Sequence, residues 1–443
     1  MTTTKPFKTH PLTRALASLS LAGALTTPAL AQDAQSDVEE LREQVQELQR
    51  RIDDAVSGAP QPDRDNPYLV RDGDGIKIGG TTISFDGFIK ADAIFGSNGD
   101  GTKNAYSVGL PRTFAAAASS GESDWKTGFT ARESRLAIGS KTDDVAGHTL
   151  RTYLEMDFNQ GADAPGNEVV SNSYALRLRQ AYGSWNGWTA GQTYTTFTDL
   201  AALPDILNQG YMAAFIYTIQ PQLRYTMAAP GGKFMAALEN PEDGFRSSPN
   251  DVSYDDQSYP DLTARYQLRN RYGIYSVSGV LRNMEHDNPA GEDDEKLGGA
   301  VSLSARIPTI GRDDLRLQYS YGHLGRYMGL FTYPDVDLGE QAAGEVDPLT
   351  TYGATAAYRH FWSPTWRSSL VLSQTEIVED LAFSPSGALG SFDKAASIHA
   401  NLIWQAHENF QVGLEYAHWD FRAIADDSNS QYEQVMASAK YSF

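Results

Sequence analysis

The chain has 443 residues, 41% of them hydrophobic, and a mean hydropathy of −0.43. No window approaches the roughly 18 to 20 uninterrupted apolar residues that a membrane-spanning helix needs. The absence of Cys excludes disulfides, thiolate metal sites, a Cys nucleophile and Cys-linked lipid anchors, and a formal charge of −20 argues against nucleic acid as a partner, because a phosphate-binding surface must be basic.

Residues 1–31 read as a secretory signal. Lys5, Lys8 and Arg14 precede an apolar run from Ala15 to Leu25, and Ala29-Leu30-Ala31 supplies a small-x-small cleavage pattern. Export of a chain without a spanning helix leaves the periplasm, the outer membrane or the medium. From Asp37 the apolar residues fall at alternating spacings of three and four: Val38, Leu41, Val45, Leu48, Ile52, Ala55. That spacing predicts a short coiled coil within 32–56, with β-branched residues at a and Leu at d. Fewer than three heptads are marginal alone, so self-association needs help from a larger assembly. The a/d choice leans toward a dimer and does not by itself establish a trimer. Pro60, Pro62 and Pro67 end the helix, and 57–79 reads as an extended linker.

From residue 80 to 443 the period changes to two. In the cleanest stretch, Leu150, Thr152, Leu154, Met156 and Phe158 share one face, and Arg151, Tyr153, Glu155, Asp157 and Asn159 the other. Sixteen such segments recur. The joins between them alternate strictly: 96–125 long, 141–147 short, 160–173 long, 185–188 short, 199–220 long, 228–232 short, 241–259 long, 269–273 short. The series continues with 283–296 long, 307–313 short, 325–350 long, 362–365 short, 376–393 long, 405–409 short and 421–431 long. A β-sandwich has no reason to obey this rule. An all-β, 16-stranded antiparallel transmembrane β-barrel does, because short turns gather at one mouth and long loops at the other. The long joins also hold the acidic excess, as in Asp255-Asp256 and Glu292-Asp293-Asp294-Glu295.

An Arg facing lipid at the midplane costs about 2 to 4 kcal/mol, so the Arg-bearing face should be the lumen. That places Arg135, Arg151, Arg177, Arg179, Arg224, Arg265, Arg282, Arg316, Arg359 and Arg367 inside. Asp86, Asp92, Glu133, Glu155, Asp157, Glu239, Asp261 and Glu415 are the acidic lumen candidates, and Arg132 is left near the aqueous rim. Arg177 and Arg179, on one strand face beside Arg151, form a ladder able to grip carboxylate or phosphate in bidentate fashion. The plain alternative is that they pair with Glu155, Asp157 and Glu133 to stiffen the wall; both readings can hold at once. The join 199–220 is too apolar for an exposed loop. With Asp199, Leu203, Asp205 and Phe215 it is expected to fold into the barrel as a constriction facing Arg177, Arg179 and Arg224, or else to cap a contact between protomers.

The matches Leu176-Arg177-Leu178-Arg179-Gln180-Ala181-Tyr182-Gly183, Ala190-Gly191-Gln192-Thr193, Ala202-Leu203-Pro204, Gln220-Pro221-Gln222-Leu223-Arg224-Tyr225, Ala237-Leu238-Glu239-Asn240-Pro241, Pro260-Asp261-Leu262 and His399-Ala400-Asn401-Leu402-Ile403-Trp404 make the chain resemble the DcaP-type trimeric outer-membrane porins over nearly all its mature length. The resemblance implies a homotrimer with its coiled coil in the periplasm, a preference for small anionic solutes such as dicarboxylates, and channel roles for Arg177, Arg179 and Arg224. Tyr441-Ser442-Phe443 resembles the C-terminal signal read by the barrel-assembly machinery, and a terminal Phe in line with Tyr441 and Ala439 fits an aromatic girdle in the lipid bilayer.

No His pairing or HExxH helix suggests a metal site, Asp72-Gly73-Asp74-Gly75 lacks the Glu of a calcium loop and reads as a turn, and no phosphate loop or GxSxG elbow appears. No cofactor and no enzymatic activity are expected. The leading reading is passive, selective diffusion of small organic anions. Its rivals are a phosphate-type or general diffusion channel, an envelope tether working through the coiled coil, and a barrel hydrolase with a Ser/His pair.

Overall fold

A strand with lipid on one side and polar groups on the other must alternate its side chains at period two, and that pattern is realised throughout the computed structural model. The structure describes residues 75–78, 80–97, 125–159, 173–208, 212–242, 258–286, 294–331, 336–337, 347–379, 392–423 and 429–443. The signal, the coiled coil with Val38, Leu41, Val45, Leu48 and Ile52, and the linker up to residue 74 lie outside the described residues.

The strands are β1 (Gly75–Ile78), β2 (Thr81–Gly96), β3 (Lys126–Thr130), β4 (Arg135–Val145), β5 (His148–Asp157), β6 (Arg177–Trp185) and β7 (Trp188–Tyr194). They continue as β8 (Ile219–Ala229), β9 (Gly232–Glu239), β10 (Asp261–Asn270), β11 (Gly273–His286), β12 (Asp294–Pro308) and β13 (Asp314–Gly322). Then come β14 (Val336–Asp337), β15 (Asp347–Pro348), β16 (Thr351–Phe361), β17 (Trp366–Ile377), β18 (Phe392–His407), β19 (Phe410–Ala423) and β20 (Asn429–Ser442). β3 and β4 run along the same edge of β2 and act as one interrupted stave. β1 is a short arm against the start of β2, and β14–β15 form a separate small ladder. The remaining staves pair in sequence order, all antiparallel, and β20 returns to β2, so sixteen strands close into a ring.

The seam explains one glycine. Phe88 lies opposite Ser442 and Ile89 opposite Tyr441, and the Phe443 N–H donates to the Gly87 carbonyl at 3.1 Å. Gly87 has φ +154°, and a Cβ there would stand 2.3 Å from the Arg135 carbonyl oxygen, so β2 and β4 approach this closely beside the seam only because this residue has no side chain. Tyr441 and Phe443 point outward beside Phe85 and Ile89, all exposed on the ring's outer face.

The outer face is apolar around the ring: Leu136, Leu223, Leu262, Leu281, Leu303, Leu317, Leu370, Leu402 and Leu414 are all exposed. In water so continuous a greasy surface would drive association, whereas against acyl chains it is solvated. Tyr319, Tyr321 and the stacked pair Trp366 and Trp404, 5.9 Å apart, add aromatic rings to it.

Two expectations need correcting. The sheet starts earlier than residue 80, since Gly75–Ile78 already pairs with β2. The joins 283–296 and 421–431 are shorter than the spacing suggested, because β11, β12, β19 and β20 continue past the apolar band. What remains between strands is 287–293 and 424–428, and the latter is no longer than the 309–313 turn. Asp294 and Glu295 therefore belong to β12 rather than to a loop.

Leu402, exposed in the middle of β18, tests the lipid assignment. Leu402→Arg is expected to destabilise the refolded barrel by about 2 to 4 kcal/mol in a denaturant titration in lipid vesicles, while an unchanged midpoint contradicts a bilayer on that face.

Candidate functional site

The chain between β7 and β8 is an apolar segment whose described residues form no strand. Ala202, Ile206, Leu207, Met212, Ala213, Ala214, Phe215 and Ile216 are all buried, and their partners show where. The Ala213 N–H donates to Ser397 Oγ at 3.0 Å on β18, and the Ala214 N–H to Ser373 Oγ at 2.8 Å on β17. The Leu207 N–H donates to Glu415 Oε2 at 2.7 Å on β19, and Lys90 Nζ on β2 donates to the Leu207 carbonyl at 2.9 Å. Residues spread along the inner wall thus hold one segment, which therefore lies inside the barrel. The wall makes room with short hydroxyl side chains at Ser302, Ser304, Ser320, Thr355, Ser373 and Ser397. Where the segment meets Ser373 and Ser397, hydroxyls accept the backbone N–H groups that dehydration would otherwise leave unpaired.

Asp199 caps a short 3₁₀ turn, Leu200–Ala202, by accepting from the Ala201 N–H at 3.1 Å. Its carboxylate also receives Gln267 Nε2 at 3.1 Å and Ser304 Oγ at 2.7 Å. Leu203 packs on the buried cluster of Ile206, Met212, Phe215, Ala357 and Val371, and Phe215 stacks on Tyr217 at 5.0 Å. Asp205 receives Arg367 Nε at 2.7 Å and stands 3.6 Å from Arg359 Nη1. Burial pushes the Asp205 carboxyl up, but Arg367, Arg359 and Arg316 together outweigh it and hold it down at about 2.

A second inward segment escaped the sequence reading. After β13, the turn Gly325–Phe331 places Leu324, Tyr327 and Met328 fully buried against Phe197, Ala213, Ala214 and Ile216. The Tyr327 hydroxyl donates to Asp261 Oδ2 at 2.7 Å, and Arg326 reaches the same oxygen at 2.8 Å and Gln220 Oε1 at 2.6 Å. The signal was present: Tyr327, Met328, Leu330 and Phe331 are as apolar, directly after a strand, as the segment that was recognised.

All ten singled-out arginines lie on the inward-facing parity of their strands, and they fall into two groups. On the β2–β6 side cations meet carboxylates nearly one for one. Arg177 forms a bidentate pair with Asp157 at 2.9 and 2.8 Å, and Arg179 binds Glu155 at 2.7 Å, Asp157 at 3.1 Å and the Tyr194 hydroxyl at 2.8 Å. Arg135 stands 4.0 Å from Glu155, and Lys90 pairs with Asp92 and Glu133. Arg151 is exposed toward the short-turn end. Arg177 and Arg179 therefore act first as wall staples. Tyr217 of the inward segment stands beside these guanidinium groups, its ring 5.6 Å from that of Tyr194, which Arg179 binds, while Asp199 takes Gln267 and Ser304 as partners and Asp205 takes Arg367 and Arg359.

Arg132 needs a second correction. It is buried, not at the rim, in the break between β3 and β4, with its guanidinium 3.7 Å over the Tyr174 ring. That break at 131–134 shifts the stave's register, so Glu133 and Arg135 both reach the interior.

On the β8–β17 side cations exceed carboxylates. Asp314 faces Arg306 at 3.3 Å, Arg316 at 2.7 Å and Arg359, and Asp205 stands near Arg359 and Arg367. Arg316 also donates to the Leu203 carbonyl and Arg265 to the Thr198 carbonyl, so this wall grips the inward segment through its backbone. Arg282 is fully buried, 3.6 Å from Asp261, beneath the second inward segment and not on open passage surface. Arg224 is half-buried and forms no ion pair among the described residues. Fixed guanidinium groups around a narrowed interior bind and repel ions without making or breaking bonds.

The family model described as "Porin subfamily" matches residues 75–441. Among solved structures, the outer membrane channel DcaP of Acinetobacter baumannii is 19% identical at a TM-score of 0.68, covering 84% of this chain and 100% of its own. The Salmonella typhi OmpF complex with daunomycin is 14% identical at 0.52, covering 83% and 100%. The anion-selective porin from Comamonas acidovorans is 11% identical at 0.50, covering 82% and 100%. No curated protein matches. The closed sixteen-strand ring, the apolar girdle and the family match over the whole barrel agree: this chain belongs to the porin subfamily and is an outer-membrane diffusion channel with the fold of DcaP.

Proposed function

We propose that the channel passes small anionic solutes, dicarboxylates among them, and that it works as a homotrimer whose coiled coil lies in the periplasm. The observation that carries the anionic preference is the sharing of Asp314 by three guanidinium groups, Arg306, Arg316 and Arg359. Asp205 is likewise shared by Arg359 and Arg367. Counter-charge supplied by the chain is too small, so mobile anions must make up the difference, and a passage that recruits anions conducts them. Bidentate guanidinium geometry favours planar carboxylates. The trimer is what the resemblance to the trimeric outer-membrane porins implies; the coiled-coil pattern is too short to associate alone and leaves the number of chains open. Tyr441 and Phe443 are the positions we assign to recognition by the assembly machinery.

Arg306→Gln isolates the surplus charge, because Asp314 keeps Arg316 and Arg359 as partners and the wall should hold its shape. The reversal potential of the reconstituted channel in a salt gradient is expected to move toward zero, by about the effect of one lumen charge. A cation-selective parent channel would refute the reading. Tighter block by phosphate than by succinate would favour a phosphate-type channel.

Arg179→Ala separates structure from selectivity. It strips the main partner from buried Glu155 and is expected to cost about 3 to 5 kcal/mol of barrel stability, seen as a lowered midpoint in urea. Equal stability would mean that the buried pair is not a staple.

Asp205 predicts a pH response. Its folded value lies below the unfolded carboxylate range, near 3.9, so its contribution to holding the inward segment is complete above that range and is lost as pH falls through about 2. Single-channel current is expected to stay quiet down to about pH 3 and to grow noisy near 2. Asp205→Asn should bring the noise to neutral pH, and a silent variant would show that Asp205 does not anchor the segment.

A further inference from the structure

Three inner-wall cations stand apart from the ion pairs described above. Arg224 on β8, Lys233 on β9 and Arg269 on β10 form no ion pair among the described residues, and Nε of Arg224 is buried without a hydrogen-bond partner. Beside them, the guanidinium of Arg265 reaches only the Thr198 carbonyl and the Met235 sulfur. The charges acting most strongly on Lys233 are those of Arg265 and Arg224, with Arg269 beside them, against the carboxylate of Asp199, whose oxygens already accept from Ala201, Gln267 and Ser304.

Strand register arranges these groups as steps. Met235 lies opposite Arg265, and Lys233 opposite Gln267, so Arg265, Lys233 and Arg269 alternate between β10 and β9. Each step is one strand over and two residues along, about 8 Å between Cα atoms. The descent runs from the buried Arg265 under the inward segment to the exposed Lys233 and Arg269, each close to a short turn, at 230–231 and 271–272. Like charges at this spacing repel, and no carboxylate on β8, β9 or β10 stands among the lower two. A wall that keeps such a row open to water offers it to mobile oxyanions.

We propose that Arg265, Lys233 and Arg269, flanked by Arg224, form a relay station for carboxylate- or phosphate-bearing solutes between the inward segment and the short-turn mouth. An oxyanion leaving Arg265 meets Lys233 and then Arg269 before bulk water, so the row sets how quickly anions enter from, and leave toward, that mouth. The inference rests on the anion-conducting reading above and adds Lys233 and Arg269 to it as specificity-determining residues.

The test uses the whole protein, inserted in one orientation in planar bilayers, with Lys233→Gln/Arg269→Gln beside the parent and Lys233→Arg. Succinate or inorganic phosphate is added to one side at a time, and the association rate is taken from blockade noise. Loss of the row is expected to slow association from the short-turn side about tenfold at low ionic strength and from the opposite side less than about twofold. Lys233→Arg should keep the parent rate. Loss for both probes fits a general oxyanion station, and loss for one assigns the station to that oxyanion. An unchanged rate, or an equal drop from both sides, overturns the station. A parent channel without anion preference overturns instead the reading on which it rests. Unchanged heat-modifiable mobility on gels shows that the double variant is folded, so a rate change in it belongs to the lost charges.

Discussion

In a hydrocarbon layer no water can satisfy a peptide group, so every backbone N–H and C=O of a spanning segment must find its partner within the wall. Among the described residues no helix is long and apolar enough to cross, and a closed ring of strands is the other solution. The rest of the architecture follows from that closure. β20 must return to β2, the terminal residues must fit against Gly87, and the outward positions must be apolar wherever acyl chains touch them. Strand alternation then delivers every second side chain to the interior, and polar residues collect there because the outer face excludes them.

A ring this wide encloses more room than its own side chains fill. This chain uses the surplus by turning two connecting segments inward. The first is held by hydroxyl-bearing wall residues, by Glu415 and Lys90 at its far end, and by arginines that grip its carbonyls. The second caps the first with Leu324, Tyr327 and Met328. The fully buried apolar cluster of this protein thus lies inside the barrel, where a soluble protein would keep its core, while the greasy exterior faces lipid. The passage is shaped by packing as much as by strand number.

Charge is distributed unevenly around that interior. Asp157 and Glu155 bind Arg177 and Arg179 so closely that these four groups stiffen the wall and leave little net field. On the opposite arc one aspartate serves three guanidinium groups, and near the short-turn mouth cations stand in a row without carboxylates between them. Selectivity in such a channel belongs to this imbalance rather than to the total number of arginines, because a paired charge is screened by its partner at contact distance while a shared one is not.

The period-two pattern, the sixteen staves and the inward parity of the ten arginines were legible in the chain alone, since between bulges side-chain direction along a strand follows odd and even position. The apolar composition of 199–220 likewise announced that this segment had to be buried. Which arginines are spent in pairs was not legible. That depends on which strands become neighbours and with what stagger: Lys90 meets Glu133, and Arg135 meets Glu155, because β2, β4 and β5 lie side by side. Nor could sequence say that Arg316 would take the segment's backbone and Arg359 and Arg367 its Asp205, while Tyr217 comes beside Arg177 and Arg179. A local pattern fixes the face on which a residue lies, but only the closed ring brings strands far apart in sequence across one interior, and the charge each arginine has left to offer is decided there.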